Sequence, residues 1–223
     1  KYIGKNTGRA LVTLLSEVCM ANPPKISVIY YSATGNVARL AHEIARGAES
    51  IGAEIRLRHA EETAPAEAIA RNPGWQEFAD QPGDPLAQLE DLVWADGIAL
   101  GSPTRFGGPA SQLKAFLDTS GGLWAQGAFY NKVGTAFTSA STQHGGLEST
   151  ILAMNNIFYH WGTLIMPLGY PDEQVRKYSG NPYGASHYAS SRNAGNTSHL
   201  AAAFTQGKRL AQVSAACRNM ENT

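Results

Sequence analysis

The chain has 223 residues, with eighteen basic and eighteen acidic side chains and a formal net charge of zero; 43% is hydrophobic and 16% charged. A length of this order corresponds to one domain that can bury a core without disulfide or metal support, and the composition excludes wholesale disorder. Zero net charge without a run of Lys and Arg gives no long-range attraction to nucleic acid or anionic lipid, and no apolar run approaches the ~20 residues of a membrane helix.

Two cysteines, Cys19 and Cys217, stand at opposite ends of the chain. They have no metal-ligand spacing and form no disulfide framework, which fits a reducing, cytoplasmic setting. At the start, Lys1, Lys5 and Arg9 precede a short apolar run at 11–15 that weakly imitates a signal sequence, but Glu17 follows it directly. Met20 reads as a natural beginning. Residues 1–24 are therefore expected to be an N-terminal extension, foreign to the natural chain before Met20, and residues 25–223 the folded domain.

Strand and helix patterns alternate from residue 25. Residues 26–31 (Ile-Ser-Val-Ile-Tyr-Tyr) are β-branched and aromatic, as in a buried strand. After a Gly-centred turn, Val37, Leu40, Ala41, Ile44, Ala48 and Ile51 recur at helical spacing, and Gly52 closes the helix. A strand is expected at 54–58. Residues 61–92 carry Pro65, Pro73, Pro82 and Pro85 and predict a loop with one short helix. Strands follow at 97–101, 133–137 and 163–166, the last stopped by Pro167. Helices are expected at 110–117, from Leu147 to Trp161, and from Leu200 to Ser214. The polar connection at 168–196 is too long for a plain linker. Alternation of this kind predicts an α/β fold: a doubly wound, five-stranded parallel sheet with helices on both faces.

Ligands of open α/β sheets sit beyond the carboxyl ends of the strands, which directs attention to three turns. The first is Ser32-Ala33-Thr34-Gly35-Asn36-Val37. Unpaired N–H groups at a helix start favour an anion, and Ser32, Thr34 and Asn36 add neutral donors. The Lys-Ser/Thr ending of an NTPase loop and the three glycines of a dinucleotide fold are both missing, so a monophosphate ester fits better; simple helix capping by Ser, Thr and Asn is the competing reading. The second turn includes Thr104, Arg105 and Phe106, between Pro103 and Gly107-Gly108-Pro109. It can present polar groups and an aromatic edge to a flat ring, although alone it is also an ordinary strand-to-helix loop. The third holds Ser139, Ala140, Ser141, Thr142, Gln143 and His144, dense with small donors. Together the turns describe a pocket for a flat polar ring bearing one phosphate.

His42, His59 and His199 fall on presumed solvated surfaces, and Trp75 and Trp94 read as packing. His160 ends a helix, where it could cap the dipole. Trp124 lies in a Gly-rich loop, off any amphipathic face, which favours stacking on a ligand. No nucleophile–base pair stands out.

The Ser-Ala-Thr-Gly-Asn turn resembles the phosphate loop of flavodoxin-like proteins. The stretches at 101–107 (Gly-Ser-Pro-Thr-Arg-Phe-Gly), 119–125 (Thr-Ser-Gly-Gly-Leu-Trp-Ala) and 181–185 (Asn-Pro-Tyr-Gly-Ala) resemble the WrbA family of NAD(P)H:quinone oxidoreductases. The resemblance runs from Lys25 to the last helix and implies a flavodoxin-like fold that binds FMN non-covalently. It places FMN contacts on Ser32, Ala33, Thr34, Gly35, Asn36, Val37, on Thr104, Arg105, Phe106, on Ser139, Ala140, Ser141, Thr142, Gln143, His144, and on His160. The third loop departs from the family's Gly-rich form and is one residue longer. Trp124 corresponds to the tryptophan of the quinone pocket, and Thr34 to the point where NADH or NADPH approaches. The implied activity is two-electron, ping-pong reduction of a quinone by NADH or NADPH through FMN, in a homotetramer with Trp124, His160 and residues 168–196 near subunit contacts. The competing functions are a one-electron flavodoxin-type carrier, disfavoured by the absence of an acidic charge balance, and a non-catalytic flavin-binding regulator.

Overall fold

Successive apolar residues along each central strand point to opposite faces of a sheet, and both faces here are covered by helices. The computed structural model describes residues 22–81, 83–170, 173, 175, 176, 180–188, 197–218 and 220. The expected foreign segment before Met20 and part of the 168–196 connection lie outside them. Strands β1 (Lys25–Tyr30), β2 (Glu54–His59), β3 (Gly97–Arg105) and β5 (Val133–Ala140) pair in parallel in the order β2-β1-β3-β5. The two-residue β4 (Gly108–Pro109) folds back antiparallel on the end of β3.

The fifth position differs from the single strand expected at 163–166. Two short pieces share the free edge of β5: β6 (Leu164–Ile165) pairs with Val133 and Gly134, and β7 (Ser186–Tyr188) with Thr138, Ser139 and Ala140. Between them in sequence, Gly169 N–H donates to the Pro182 carbonyl at 2.8 Å. Part of the long connection thus completes the sheet.

Helix α1 (Asn36–Glu49) buries Val37, Leu40, Ala41, Ile44 and Ala48 against one face, together with α8 (Ser198–Cys217); Gly52 takes φ +85° just beyond α1. On the other face, Ile29, Tyr31, Ile98 and Leu100 pack with Leu113 and Leu117 of α5 (Ser111–Asp118) and with Ile151, Met154 and Phe158 of α7 (Leu147–Trp161). The 61–92 stretch holds three short helices where one was expected: α2 (Ala66–Ala70), α3 (Pro73–Ala79) and α4 (Leu89–Trp94). Pro65 and Pro73 do not break helices here, because a proline at or just before the first turn sacrifices no bonded N–H. Asn72 caps α3 by accepting from Trp75 N–H, and Gln88 with Asp91 forms a capping box on α4. Trp124, expected in a loop, lies on the one-turn helix α6 (Gly121–Ala125).

Gln206 of α8 is fully buried and ties the residue before β7 to the middle of β5. Its Oε1 accepts from Ala185 N–H at 2.6 Å, while Nε2 donates to Thr135 Oγ1 and the Ala136 carbonyl at 2.6 and 2.9 Å. Replacing it with leucine strands these partners in the core, so Gln206→Leu should cost about 2–4 kcal/mol, read as a lowered urea midpoint. An unchanged midpoint would show that the three partners find other bonds.

Candidate functional site

A helix start at the carboxyl edge of a parallel sheet presents N–H groups that the helix itself cannot use. Here the first α1 donor to reach a backbone carbonyl is Arg39 N–H, which bonds to Gly35 at 3.0 Å. Among the described residues, none of the N–H groups from Ser32 to Ala38 donates to a backbone carbonyl. Gly35 adopts φ +80°, which an L side chain seldom tolerates and which curls the turn around its own donors. Asn36 Nδ2 donates to Thr34 Oγ1 at 3.3 Å, and Arg39 donates to Asn36 Oδ1 at 2.5 Å. The turn's own donors are neutral, with the Arg39 cation about one helical turn behind them.

This turn forms one side of a cleft of about 350 Å³. Ser32, Ala33, Thr34, Asn36 and Val37 line it, with Thr104 and Arg105 from the end of β3 and Ser139, Ala140 and Ser141 from the end of β5. The second and third loops brace each other. Thr150 Oγ1 donates to Thr104 Oγ1 at 2.9 Å, and a Cβ on Gly146 would lie 2.9 Å from Gly107 Cα. Ten residues expected at the site from the three turns therefore meet in one cleft.

Several others do not line it. Gly35 shapes the loop from behind. Phe106 sits at φ +51° at the tip of the β3–β4 hairpin and is wholly exposed. Thr142, Gln143 and His144 are exposed beyond Ser141. His160 lies at the far end of α7, which starts beside the cleft and runs fifteen residues away, a span of about 20 Å. Trp124 lies there too, its Nε1 donating to the His160 carbonyl at 2.6 Å. Neither His160 nor Trp124 lines the cleft.

Sequence reading passed over Pro103, Asn72 and Trp75, all of which line the cleft. Trp75, read as packing, reaches it because α3 lies over the phosphate turn: a Cβ on Gly35 would be 3.2 Å from the Phe78 ring, and one on Gly74 3.9 Å from Thr34 Cγ2. The available signal was the Asn72-Pro73 pair, a cap followed by an N1 proline, which places a helix there.

Glu62 lies behind this wall. Burial works to raise its pKa, yet bonds from Ala64 N–H, Tyr31, Gln112 and Trp75 hold it below the usual carboxylate value. Burial and the same carboxylate push the Tyr31 phenol far up, partly opposed by the Arg105 charge, so it stays protonated. His59, expected to be solvated, packs edge-on against Tyr30 and beside Tyr31, with ring centroids 5.3 and 5.9 Å away. Burial lowers its pKa below 6.5, against opposing contributions from the Ser32 backbone, Glu62 and Asp84. His199 likewise lies against His187 at 4.0 Å, and burial, then Arg39, lowers the His187 pKa. His42 is exposed and pairs with Asp84 at 3.1 Å.

Both lowered histidines are neutral in the fold and take up protons more readily once unfolded. Their stabilisation is whole above pH 6.5 and is lost as pH falls from there towards the folded values. Scanning calorimetry should therefore show a melting temperature that is level near pH 7.5 and lower at pH 5.5. The loss should be smaller in His59→Phe, and an equal loss in that variant would refute the assignment.

The cleft's donors also provide the fit to a cofactor: unpaired N–H groups and hydroxyls suit a phosphate monoester, and the polar ends of β3 and β5 suit the edge of a flat ring. Among the described residues there is no cluster of three potential metal ligands, and no helix is long and apolar enough to cross a membrane.

Comparison with known proteins agrees with this geometry. Residues 24–171 match the family model described as NADPH-dependent FMN reductase. A Deinococcus radiodurans protein named NAD(P)H dehydrogenase (quinone) is 44% identical over 168 residues, covering 75% of this chain and 84% of that one. A Rhizobium meliloti NAD(P)H dehydrogenase (quinone) 3 is 41% identical over 200 residues, covering 86% and 92%. Among solved structures, a flavodoxin, WrbA-like protein from Agrobacterium tumefaciens superposes with a TM-score of 0.64 at 24% identity over 87% of this chain and 99% of that one, a likeness of fold. With the match spanning β1 to β6 and the phosphate turn inside it, the chain belongs to the NADPH-dependent FMN reductase family, among the NAD(P)H dehydrogenases (quinone).

Proposed function

We propose that the protein is an FMN-dependent NAD(P)H:quinone oxidoreductase that works by a ping-pong sequence in one cleft. The observation that carries the reading is the convergence of the three sheet-end turns around a phosphate cradle built from neutral donors. Ser32, Thr34 and Asn36, with the backbone from Ala33 to Val37, hold the phosphate. Thr104, Arg105 and the 139–141 turn fix the polar edge of the ring system, with Phe106, Thr142, Gln143 and His144 at the rim. Bound FMN supplies a two-electron relay between nicotinamide and quinone. The balance is NAD(P)H plus quinone plus one proton giving NAD(P)⁺ plus hydroquinone. Thr34 lines the cleft and is exposed, suited to steering the nicotinamide nucleotide.

The rest of the site is proposed to come from assembly. Trp124 and His160 lie together, away from the cleft, and the exposed Tyr159 adjoins His160 at the end of α7. A cytoplasmic homotetramer of a single flavin-binding domain, starting at residue 25, would cover this surface and deliver His160 and Trp124 to a neighbouring copy's cleft. The balanced charge favours this enzyme over an acidic one-electron carrier.

Reconstitution with FMN should give a flavin absorption spectrum, NADH or NADPH oxidation dependent on benzoquinone, and parallel double-reciprocal lines. A chain that takes up no FMN would overturn the reading; intersecting lines would overturn the shared site. Sedimentation should give four copies per particle.

A further inference from the structure

A carboxylate offers two oxygens that can each accept more than one hydrogen bond, so a single one can fasten several pieces of chain at one point. Glu62 does this without itself lining the cleft. Its Oε2 accepts from Tyr31 Oη at 2.7 Å and from Trp75 Nε1 at 2.9 Å. Its Oε1 accepts from Gln112 Nε2 at 2.8 Å and from Ala64 N–H at 2.9 Å. The donors come from separate parts of the wall. Tyr31 immediately precedes Ser32 of the phosphate turn, Gln112 is on α5 just after the β3–β4 hairpin, and Trp75 belongs to α3. Tyr31 is fully buried and Gln112 is 8% exposed, so neither can follow a displaced partner. Trp75 is the only one of these donors that reaches the cleft, and α3 rests on the turn through Phe78 and Gly74.

We propose that Glu62 is a positioning residue of the FMN site: its carboxylate holds Trp75 and helix α3 against the phosphate turn and so sets the affinity for FMN. This rests on the FMN reading above and adds to it a determinant outside the three turns.

An amide cannot replace the carboxylate. In Glu62→Gln one side-chain position becomes an NH₂ group. In one orientation that group faces the indole N–H of Trp75, and in the other it faces Ala64 N–H. Neither of these can turn into an acceptor, although the Tyr31 hydroxyl and the Gln112 amide can reorient. One arrangement sets donor against donor at Trp75; the other does so at Ala64 and leaves the indole a neutral oxygen in place of a charged one, a weaker acceptor.

The test is titration of FMN into the apoprotein, read by flavin fluorescence. Glu62→Gln should weaken binding about tenfold, and Trp75→Phe, which keeps a ring but lacks the donor, should also weaken it several-fold. In the Trp75→Phe background the Glu62→Gln change should add less than about twofold, because the two residues act as a unit. The Trp75 indole N–H resonance, assigned by its disappearance in Trp75→Phe, should move upfield in Glu62→Gln. Glu61→Gln, an exposed neighbour, should change neither reading. Wild-type affinity in Glu62→Gln, wild-type affinity in Trp75→Phe, or fully additive losses in the double variant would each overturn the proposal. Trp75→Phe decides the matter alone if Glu62→Gln does not fold. A wild-type chain that binds no FMN instead overturns the functional reading on which the proposal rests.

Discussion

Gly35→Val should weaken FMN binding by about 100-fold while leaving the fold intact. The residue stands at φ +80°, ψ −12° at the start of α1, where a β-branched side chain meets both intrinsic backbone strain and the Phe78 ring, 3.2 Å from the first atom added. Strain of this kind is worth about 1–3 kcal/mol, or roughly 5- to 150-fold in an equilibrium constant, and the β-branched side chain puts the effect near the upper end. The turn can relax towards negative φ because it lies outside the hydrophobic core, but relaxation rotates its N–H groups away from their common focus. The loss should therefore appear in FMN affinity, measured by titration of the apoprotein, with circular dichroism unchanged. Wild-type affinity would mean that the turn's curl is not what binds the phosphate.

The second large effect is on stability and lies on the opposite side of α1. Helices α1 and α8 touch backbone to backbone through two glycines. A Cβ on Gly207 would run into the Ile44 carbonyl oxygen, and one on Gly47 into the Phe204 carbonyl oxygen. Gly207→Ala improves helix propensity by about 1 kcal/mol. It also forces two packed helices apart, and overpacking of this kind costs typically 1–3 kcal/mol and occasionally more. Because the obstruction is backbone, with no flexible side chain to yield, the larger cost should win. A net loss of about 2 kcal/mol is expected, lowering the melting temperature by roughly 4–8 °C for a domain of this size. Gly47→Ala should behave similarly, and the double variant should lose less than the sum, since helices already separated accommodate the second methyl. A raised melting temperature in Gly207→Ala would show that propensity outweighs the contact.

The parallel sheet was legible because the apolar runs of β1, β3 and β5 and the 3.6-residue spacing of α1 are local patterns that burial on two faces imposes directly. The phosphate turn was legible for the same reason: its conformation depends on Gly35 and its donors on the six residues from Ser32 to Val37. Trp75 packs against the core as expected and also lines the cleft, which a tryptophan amid prolines does not reveal; Glu62, one sequence position from the exposed Glu61, fixes its indole there. His59 looked solvated because β2 is an edge strand with charged neighbours, whereas Tyr30 at the end of β1 and Tyr31 just after it enclose it. The division of the fifth position into β6 and β7 was hidden because three residues, Ser186 to Tyr188, make too short a pattern to announce a strand; the edge of β5 and the bonds of Gln206 hold them there.

The sequence by itself therefore determined the fold class, the phosphate turn and the resemblance that implied FMN, all of them carried by contiguous residues whose chemistry is complete within one turn or one helix. Only the tertiary structure decided which distant groups share the cleft, that α3 and Glu62 belong to its wall, and that His160 and Trp124 lie away from it. Those relations depend on where separate segments meet in space, and the hydrogen bonds that fix them join residues as far apart as Glu62 and Gln112 or Ala136 and Gln206.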